Sequence, residues 1–158
     1  MEVAELFPKL NFPEFEFKFE KRNNVIFILD QFRKNYFILT PEEWVRQNLL
    51  SYLVLVKKFP ISLIGVEKQF KINKLNKRFD AVAYLKNAIP ILLIECKAPS
   101  IKLNQQVFDQ ICRYNIALNV SFFLISNGIN HICCKVKSND HAIEYLSEIP
   151  NYEQLSTI

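Results

Sequence analysis

Glycine is scarce in this sequence, with only two among 158 residues. A chain so poor in glycine has no Gly-rich phosphate-binding loop, and the GxSxG and HExxH motifs of serine hydrolases and zinc proteases are also missing. No uncharged apolar run approaches the length needed to cross a bilayer, and the N-terminus lacks the basic-then-apolar order of a signal peptide. We therefore expect a cytoplasmic protein with no membrane partner.

Cysteine is present four times but never in CxxC spacing. Two of the four, Cys133 and Cys134, are adjacent, and adjacent residues rarely reach disulfide geometry. An intracellular protein also keeps its thiols reduced. The sequence therefore predicts free thiols that mainly face the interior.

The composition is that of one globular domain. Half of the residues are hydrophobic, 23% are charged, and the formal net charge is +4. This balance excludes a disordered chain, and the length allows a core without disulfides or a structural metal. We predict a single domain over 1–150 that begins with a β-hairpin, and a C-terminal tail over 151–158.

Local patterns predict the secondary structure. Apolar and polar residues alternate over about 14–29 and are interrupted by Asn23-Asn24, which predicts the hairpin. Thr40 followed by Pro41 is typical of an N-cap and a first helical residue, so a helix is predicted from there to about residue 58.

A second helix is predicted over about 104–118 because its apolar residues recur at helical spacing. Strands are predicted over 64–72, 78–85, 91–97, 121–126 and 131–136. A helix, three strands, a helix and two strands predict an α/β fold in which a mixed β-sheet is flanked by helices.

Two carboxylates are predicted to face each other across a hairpin. Asp80 and Glu95 are equally far from the predicted turn, so antiparallel pairing places them nearly opposite, with Cβ atoms about 5 Å apart. Both could then reach one divalent cation. Lys97 follows Glu95 by two residues and lies on the same strand face. A partly buried ion pair at a sheet end is the alternative interpretation.

The motif formed by Asp80 and Glu95-Cys96-Lys97, on adjacent strands followed by a helix, resembles that of the PD-(D/E)xK nucleases. Gln110 and Tyr114 match the QxxxY element of RecB-like and type I restriction nucleases. Three stretches resemble the N-terminal domain of type I restriction enzyme R subunits, within a similarity over about 25–150: Thr40 to Gln47, Ile94 to Pro99, and Asp109 to Asn115. Phe79 stands where the superfamily name has proline.

The resemblance implies a restriction-endonuclease-like fold and hydrolysis of DNA phosphodiester bonds with Mg²⁺, or with Mn²⁺ in its place. Asp80 and Glu95 would bind the metal ion. Lys97 would hold the attacking water or stabilise the charge that develops on phosphorus. Gln110 and Tyr114, four residues apart on one helix face, would position DNA or orient the ligands.

Nucleases of this kind often take a further glutamate from the first long helix. Glu43 is predicted to be the capping-box partner of Thr40. Glu42, four residues before Arg46, is therefore the candidate we prefer as a catalytic residue.

Basic residues are concentrated on the strand pair before Asp80, where they could contact phosphates. The predicted nucleic-acid-binding residues are Lys74, Lys77, Arg78 and, on the second helix, Arg113. A solvated surface is the alternative for each of them. The resemblance also implies helicase or restriction-modification subunits as partners. A non-catalytic nucleic-acid-binding or assembly module on the same fold is the rival hypothesis.

Overall fold

The computed structural model describes residues 6–72, 74–137, 139–140 and 142–157. A small antiparallel sheet consists of β1 (Phe19–Arg22), β2 (Val25–Asp30) and β3 (Asn35–Ile38). A six-stranded sheet consists of β4 (Ile64–Ile72), β5 (Leu75–Tyr84), β6 (Pro90–Cys96), β7 (Phe122–Ser126), β8 (His131–Val136) and β9 (Ile143–Leu146), which lie side by side in chain order. The α-helices are α1 (Pro41–Leu55), α2 (Gln105–Leu118) and α3 (Tyr152–Ser156), and a 3₁₀ helix covers Ile61–Leu63.

The large sheet is mixed because α2 connects two parallel strands. β6 and β7 run parallel, whereas every other neighbouring pair in this sheet is antiparallel. To begin a parallel strand, the chain must return to the end of the sheet at which the preceding strand began. The crossover through α2 does this. The predicted α/β fold with a mixed sheet flanked by helices is confirmed.

Helix α1 begins where its capping residues predict. The Thr40 side chain accepts a hydrogen bond of 3.0 Å from the backbone N–H of Glu43, and Pro41 is the first helical residue. The helix ends at Leu55, three residues before the predicted end, and Lys58 just beyond it has a positive φ of 62°. The left-handed conformation of Lys58 and the hydrogen bond of 3.0 Å from the Phe59 N–H to the Leu53 carbonyl end the helix.

Two hydrophobic clusters lie on the two faces of the large sheet. The α1-side cluster joins the buried face of α1 to alternate strand residues: Val45, Leu49, Leu50 and Leu53 pack with Ala81, Ala83, Leu92, Ile94, Phe122 and Leu124. The α2-side cluster does the same for α2: Phe108, Ile111 and Cys112 pack with Val82, Leu93, Phe123 and Ile125. Strand β6 contributes to both clusters, which is why its sequence is apolar on both faces.

Two short strands and one short α-helix lie outside the prediction. The predicted hairpin is confirmed as β1 and β2, joined by Asn23 and Asn24 in left-handed conformations, but β3 and β9 each add a further strand. Four residues are too few to show an alternating pattern. The expected tail over 151–158 also needs correction, because α3 has a capping box at Asn151 and its Leu155 is buried in the α1-side cluster.

All four thiols are free and buried, as predicted. Burial raises the pKa of Cys112 to about 11 and the pKa of both Cys133 and Cys134 to about 12, so these thiols stay protonated at neutral pH. Within the described ranges, no helix combines the length and apolar character needed to span a membrane.

Candidate functional site

Strands β5 and β6 are antiparallel neighbours, as the turn between them predicts. Ala81 pairs with Ile94, and the same register extended by one residue places Asp80 opposite Glu95. A register shift between Ala83 and Tyr84 accommodates the turn that precedes Pro90, so the pairing nearer the site keeps the predicted alignment. The two carboxylates therefore come from facing positions on neighbouring strands.

The strand pair β4–β5 rotates at Asp80. Phe79 packs in the α2-side cluster and Ala81 in the α1-side cluster, although residues two apart in a regular strand face the same way. On β4, Glu67 has a positive φ of 52° and lies at the matching point between the pairs Val66–Ala81 and Lys68–Phe79. This local break turns Asp80 toward α1.

Asp80 is held by donors from two elements. Its Oδ1 accepts a hydrogen bond of 2.7 Å from Nη2 of Arg46 on α1, and its Oδ2 accepts one of 2.7 Å from the backbone N–H of Cys96 on β6. Arg46 in turn donates through Nη1 to Oε2 of Glu43 at 2.7 Å. Burial disfavours the charged guanidinium, but Asp80 and Glu43 outweigh this effect and raise the pKa of Arg46. The orientation of Asp80 thus depends on α1.

The two glutamates at the start of α1 have different environments. Glu43 contributes to the predicted N-cap only through its backbone N–H, which donates to Thr40. Its buried carboxylate instead accepts hydrogen bonds from Arg33, Arg46 and Gln47. The Glu42 side chain is 45% exposed, with Oε1 3.9 Å from Nη2 of Arg46. Partial burial and the nearby charge of Asp80 raise the pKa of Glu42. Glu42 therefore borders the site at its solvent side, and Glu43 lies beneath it.

Glu95 and Lys97 form an ion pair on the α2 side of the sheet, with Lys97 Nζ 3.1 Å from Glu95 Oε1. Burial and the charge of Asp80 raise the pKa of Glu95, and Lys97 opposes this shift. Burial disfavours the charged lysine, but Glu95 and Asp80 prevail and raise the pKa of Lys97. Lys97 therefore stays protonated beside the carboxylates.

A small cavity of about 70 Å³ opens beside this ion pair. It is lined by Lys77, Phe79, Glu95, Lys97, Gln110, Ile111 and Tyr114. The structure thus brings the two QxxxY side chains to the ion pair, and Gln110 Nε2 donates to the Tyr114 hydroxyl at 3.5 Å. Lys77 Nζ lies 4.4 Å from the centre of the Tyr114 ring, a cation–π distance.

The predicted nucleic-acid-binding residues occupy different positions. Lys74, Arg78 and Arg113 are exposed, the first two on the β4–β5 hairpin and the third on α2. Lys77, by contrast, faces the cavity. Arg78 Nη1 lies 3.8 Å from an oxygen of Glu67, which leaves most of its guanidinium free for solvent or a ligand.

Sequence reasoning missed the contributions of Arg33, Glu43 and Glu67. The spacing of Asp30 and Arg33 gave a signal for a local ion pair, but nothing in the sequence connects Arg33 with α1. Glu67 carries no local mark of its unusual backbone, because a positive φ in a non-glycine strand residue has no pattern of its own.

Asp80 and Glu95 are the residues that could hold a divalent cation. Mg²⁺ is usually bound by one or two carboxylates together with substrate phosphate oxygens, so this pair suits it. The like-charge effect on the pKa of Glu95 also fits a cation at this place. Among the residues that the structure describes, no group of three His, Cys, Asp or Glu side chains could hold a metal ion on its own. A cation here would therefore need further oxygens from substrate or water.

Comparison with known proteins gives two matches. Residues 41–150, more than half of the chain, match the model of a family described as "Type I restriction enzyme R protein N terminus". The fold is similar to that of a solved structure described as "The fragment structure of a putative HsdR subunit of a type I restriction enzyme from Vibrio vulnificus YJ016", with a TM-score of 0.55 and 18% sequence identity. That match covers 75% of this chain and 25% of the other, so this chain spans about a quarter of the length of that one. A search of curated proteins finds no match.

Proposed function

Because the chain belongs to the family of type I restriction enzyme R protein N termini, we propose that it is a metal-dependent DNA endonuclease domain of the PD-(D/E)xK type. In this proposal it hydrolyses phosphodiester bonds within a restriction-modification complex, together with helicase or other subunits. Its substrate is DNA, and its metal ion is Mg²⁺ or Mn²⁺.

The observation that carries the proposal is that Asp80, Glu95 and Lys97 lie at one end of the β5–β6 pair, with Asp80 turned toward α1 and the Glu95–Lys97 ion pair on the α2 side. Two carboxylates and a protonated amine are held at a partly buried position where folding alone does not require them. This set, with Gln110 and Tyr114 on the following helix, resembles the motif of PD-(D/E)xK nucleases.

Each residue has a role that its surroundings support. Asp80 and Glu95 would hold the metal ion, and Glu42 would be a further catalytic residue at the solvent side of the site. A bound Mg²⁺ would polarise the scissile phosphate and lower the pKa of a bound water. Lys97 would donate a hydrogen bond to the phosphate oxygen on which negative charge accumulates as water adds to phosphorus and one P–O ester bond breaks.

The residues around the cavity would position the substrate. The Gln110 side-chain amide could donate to an oxygen of the DNA backbone and could accept from an attacking water. Tyr114 and Lys77, whose ammonium group lies over the Tyr114 ring, would contact the phosphate or sugar next to the scissile bond. Arg113, Lys74 and Arg78 would bind phosphates farther along the duplex.

One observation favours the non-catalytic alternative. Both oxygens of Asp80 already accept hydrogen bonds from the protein, from Arg46 and from the Cys96 backbone. An aspartate held in this way could serve only to fasten α1 to the sheet. The two functions differ in whether the chain binds a divalent cation at Asp80 and Glu95, which makes cation binding the decisive measurement.

We expect Lys97→Met to reduce DNA cleavage by roughly 10²- to 10³-fold, the usual effect of removing one charge-stabilising donor from a transition state. Mn²⁺ binding should persist, because both carboxylates remain and one repelling charge is gone. The measurements are cleavage of single- and double-stranded DNA with Mg²⁺ or Mn²⁺, and calorimetric titration with Mn²⁺.

Lys137→Met is the matched control, since Lys137 is exposed beyond β8 and lies outside the site; it should behave like the parent. A parent chain that binds DNA, takes up no Mn²⁺ and cleaves neither substrate would favour the non-catalytic module. Equal cleavage by the parent and Lys97→Met would remove Lys97 from the mechanism.

DNA affinity should depend on the exposed basic residues of the β4–β5 hairpin. Changing Lys74 and Arg78 together to glutamate should weaken binding at every DNA sequence and reduce the slope of log affinity against log salt by about 2, since each phosphate contact contributes roughly 0.9. Anisotropy titrations at several salt concentrations measure both quantities.

Lys77 is left unchanged in this pair because it lines the cavity with Glu95, so Mn²⁺ affinity should stay as in the parent. The control is Lys21→Glu with Lys86→Glu, which makes the same charge change at exposed positions elsewhere. If the control weakens binding as much, net charge rather than the hairpin surface governs DNA affinity.

A further inference from the structure

A chain of buried ion pairs runs from the turn after β2 to Asp80. Asp30, which is fully buried, accepts hydrogen bonds from Nε and the backbone N–H of Arg33. Arg33 Nη2 donates to Glu43 Oε1 at 2.5 Å, and Arg46 then bridges Glu43 and Asp80 with two contacts of 2.7 Å. Five alternating charges thus connect the small sheet to a proposed metal ligand.

The charges of this chain are largely removed from water. The side chains of Arg33, Glu43, Arg46 and Asp80 are 14%, 8%, 8% and 15% exposed. Well-packed apolar residues of similar volume often stabilise a fold as well as a buried ion pair does. Stability alone therefore does not explain why five charged residues are aligned here. A requirement to hold the Asp80 carboxylate in one orientation would explain it.

Arg33 is the best-anchored member of the chain. Its guanidinium stacks on Phe37 of β3, 3.4 Å from the ring centre, and its Nη1 lies 3.3 Å from Glu67 of β4. Glu67 is the residue with the positive φ at the point where the β4–β5 pair rotates. Arg33 thus contacts Glu43, which binds Arg46. It also contacts Glu67, which lies at the distortion that turns Asp80 toward α1.

An arginine that binds two carboxylates fixes their orientations relative to each other, because its guanidinium group is planar. Each arginine of the chain presents two or more N–H groups in a fixed plane, so binding one carboxylate sets the direction in which the next is held. Arg33 fixes Glu43, Glu43 fixes Arg46, and Arg46 fixes Asp80 Oδ1. The second oxygen of Asp80 is then directed to the backbone N–H of Cys96.

We propose that Arg33 is a positioning residue, which sets the orientation of the Asp80 carboxylate through Glu43 and Arg46 and so makes the small sheet part of the nuclease site. The functional meaning rests on the proposed function, because it takes Asp80 as a metal ligand. The structural part concerns only the direction of Asp80 and has its own readout.

That readout is the amide proton of Cys96, which is bonded to the Asp80 side chain rather than to a backbone carbonyl. Hydrogen exchange of this amide, followed by NMR, reports whether Asp80 keeps its place. In Arg33→Met we expect Cys96 exchange to rise roughly tenfold, the effect of losing about one hydrogen bond, relative to the amides of Leu92 and Leu124 in the buried strands.

Arg22→Met is the matched control. Arg22 also pairs with a carboxylate, Glu20, and also stacks on aromatic rings of the small sheet, but it is exposed. Cys96 exchange should not change in this variant. Arg33→Lys keeps the charge without the planar fork, so it should recover stability while Cys96 exchange stays raised.

Glu43→Gln tests the same chain at its next member and keeps the side-chain shape, so it serves if Arg33→Met fails to fold. It should also raise Cys96 exchange selectively. Unchanged Cys96 exchange in the folded Arg33 and Glu43 variants, or an equal rise at Leu92 and Leu124, would overturn the proposal.

Mn²⁺ titration separates this inference from the proposed function. If the parent binds Mn²⁺, Arg33→Met should bind it roughly tenfold more weakly, in step with the lost hydrogen bond to Asp80. Unchanged affinity in that variant would contradict a role for Arg33 in the metal site. If the parent binds no Mn²⁺, the proposed function fails, and Cys96 exchange still decides whether Arg33 orients Asp80.

Discussion

Asp80→Asn should abolish measurable Mg²⁺ and Mn²⁺ binding and, with it, DNA cleavage. The substitution keeps the size and shape of the side chain but removes a hard anionic ligand, and a site with so few protein carboxylates cannot spare one. DNA binding should survive and should tighten without metal, because one charge that repels the phosphate backbone is gone. Calorimetric metal titration, a cleavage assay and anisotropy with DNA measure the three effects.

Asp140→Asn provides the comparison, since Asp140 is exposed in the turn that follows β8 and its side chain accepts a local hydrogen bond from the backbone N–H of Ala142. It should match the parent in all three measurements. Metal binding and cleavage by Asp80→Asn at the level of the parent would refute the nuclease assignment at its centre.

Arg46→Met should lower the free energy of unfolding by about 3–5 kcal/mol, the usual result of removing one partner from a buried ionic network. Methionine fills a similar volume, but the carboxylates of Asp80 and Glu43 would remain buried without the guanidinium that compensates both. Urea denaturation followed by circular dichroism gives the change.

The comparison for this second variant is again Arg22→Met, because the Arg22–Glu20 pair is solvent-exposed. Exposed ion pairs contribute little to stability, so the control should unfold close to the parent. A loss below about 1 kcal/mol in Arg46→Met, within the range of an exposed pair, would show that Asp80 and Glu43 find other partners or water.

The direction of the Asp80 side chain follows from the folded sheet and not from the sequence. Asp80 and Glu95 are symmetric about the β5–β6 turn, and antiparallel pairing requires no other information to place them opposite each other. Regular alternation would aim Asp80 toward the α2 side with Glu95 and Lys97. The rotation at Glu67 instead turns Asp80 toward Arg46 on α1, and a distortion of this kind depends on how two strands pack against two helices.

The contacts of Glu43 on α1 likewise depend in part on the local sequence and in part on the tertiary structure. The N-cap contact of Thr40 with the Glu43 backbone is local and follows from residues three apart. The destination of the Glu43 carboxylate is not local, because its partner Arg33 lies ten residues away beyond a strand and a turn. Elimination based on the cap, together with the position of Glu42 four residues before Arg46, therefore favoured Glu42 and overlooked Glu43.

The sequence by itself determined the helix start at Pro41, the doubly buried strand β6, the opposition of Asp80 to Glu95 and the free thiols. The first three follow from short-range capping, from the period of apolar residues and from a turn between neighbouring strands, and the free thiols follow from cysteines that are adjacent or lack CxxC spacing. Only the tertiary structure decided the short elements β3, β9 and α3, the direction of Asp80 and the ion-pair chain from Arg33. These depend on contacts between distant segments, because a four- or five-residue element and a buried charge are stable only when the surrounding fold supplies their partners.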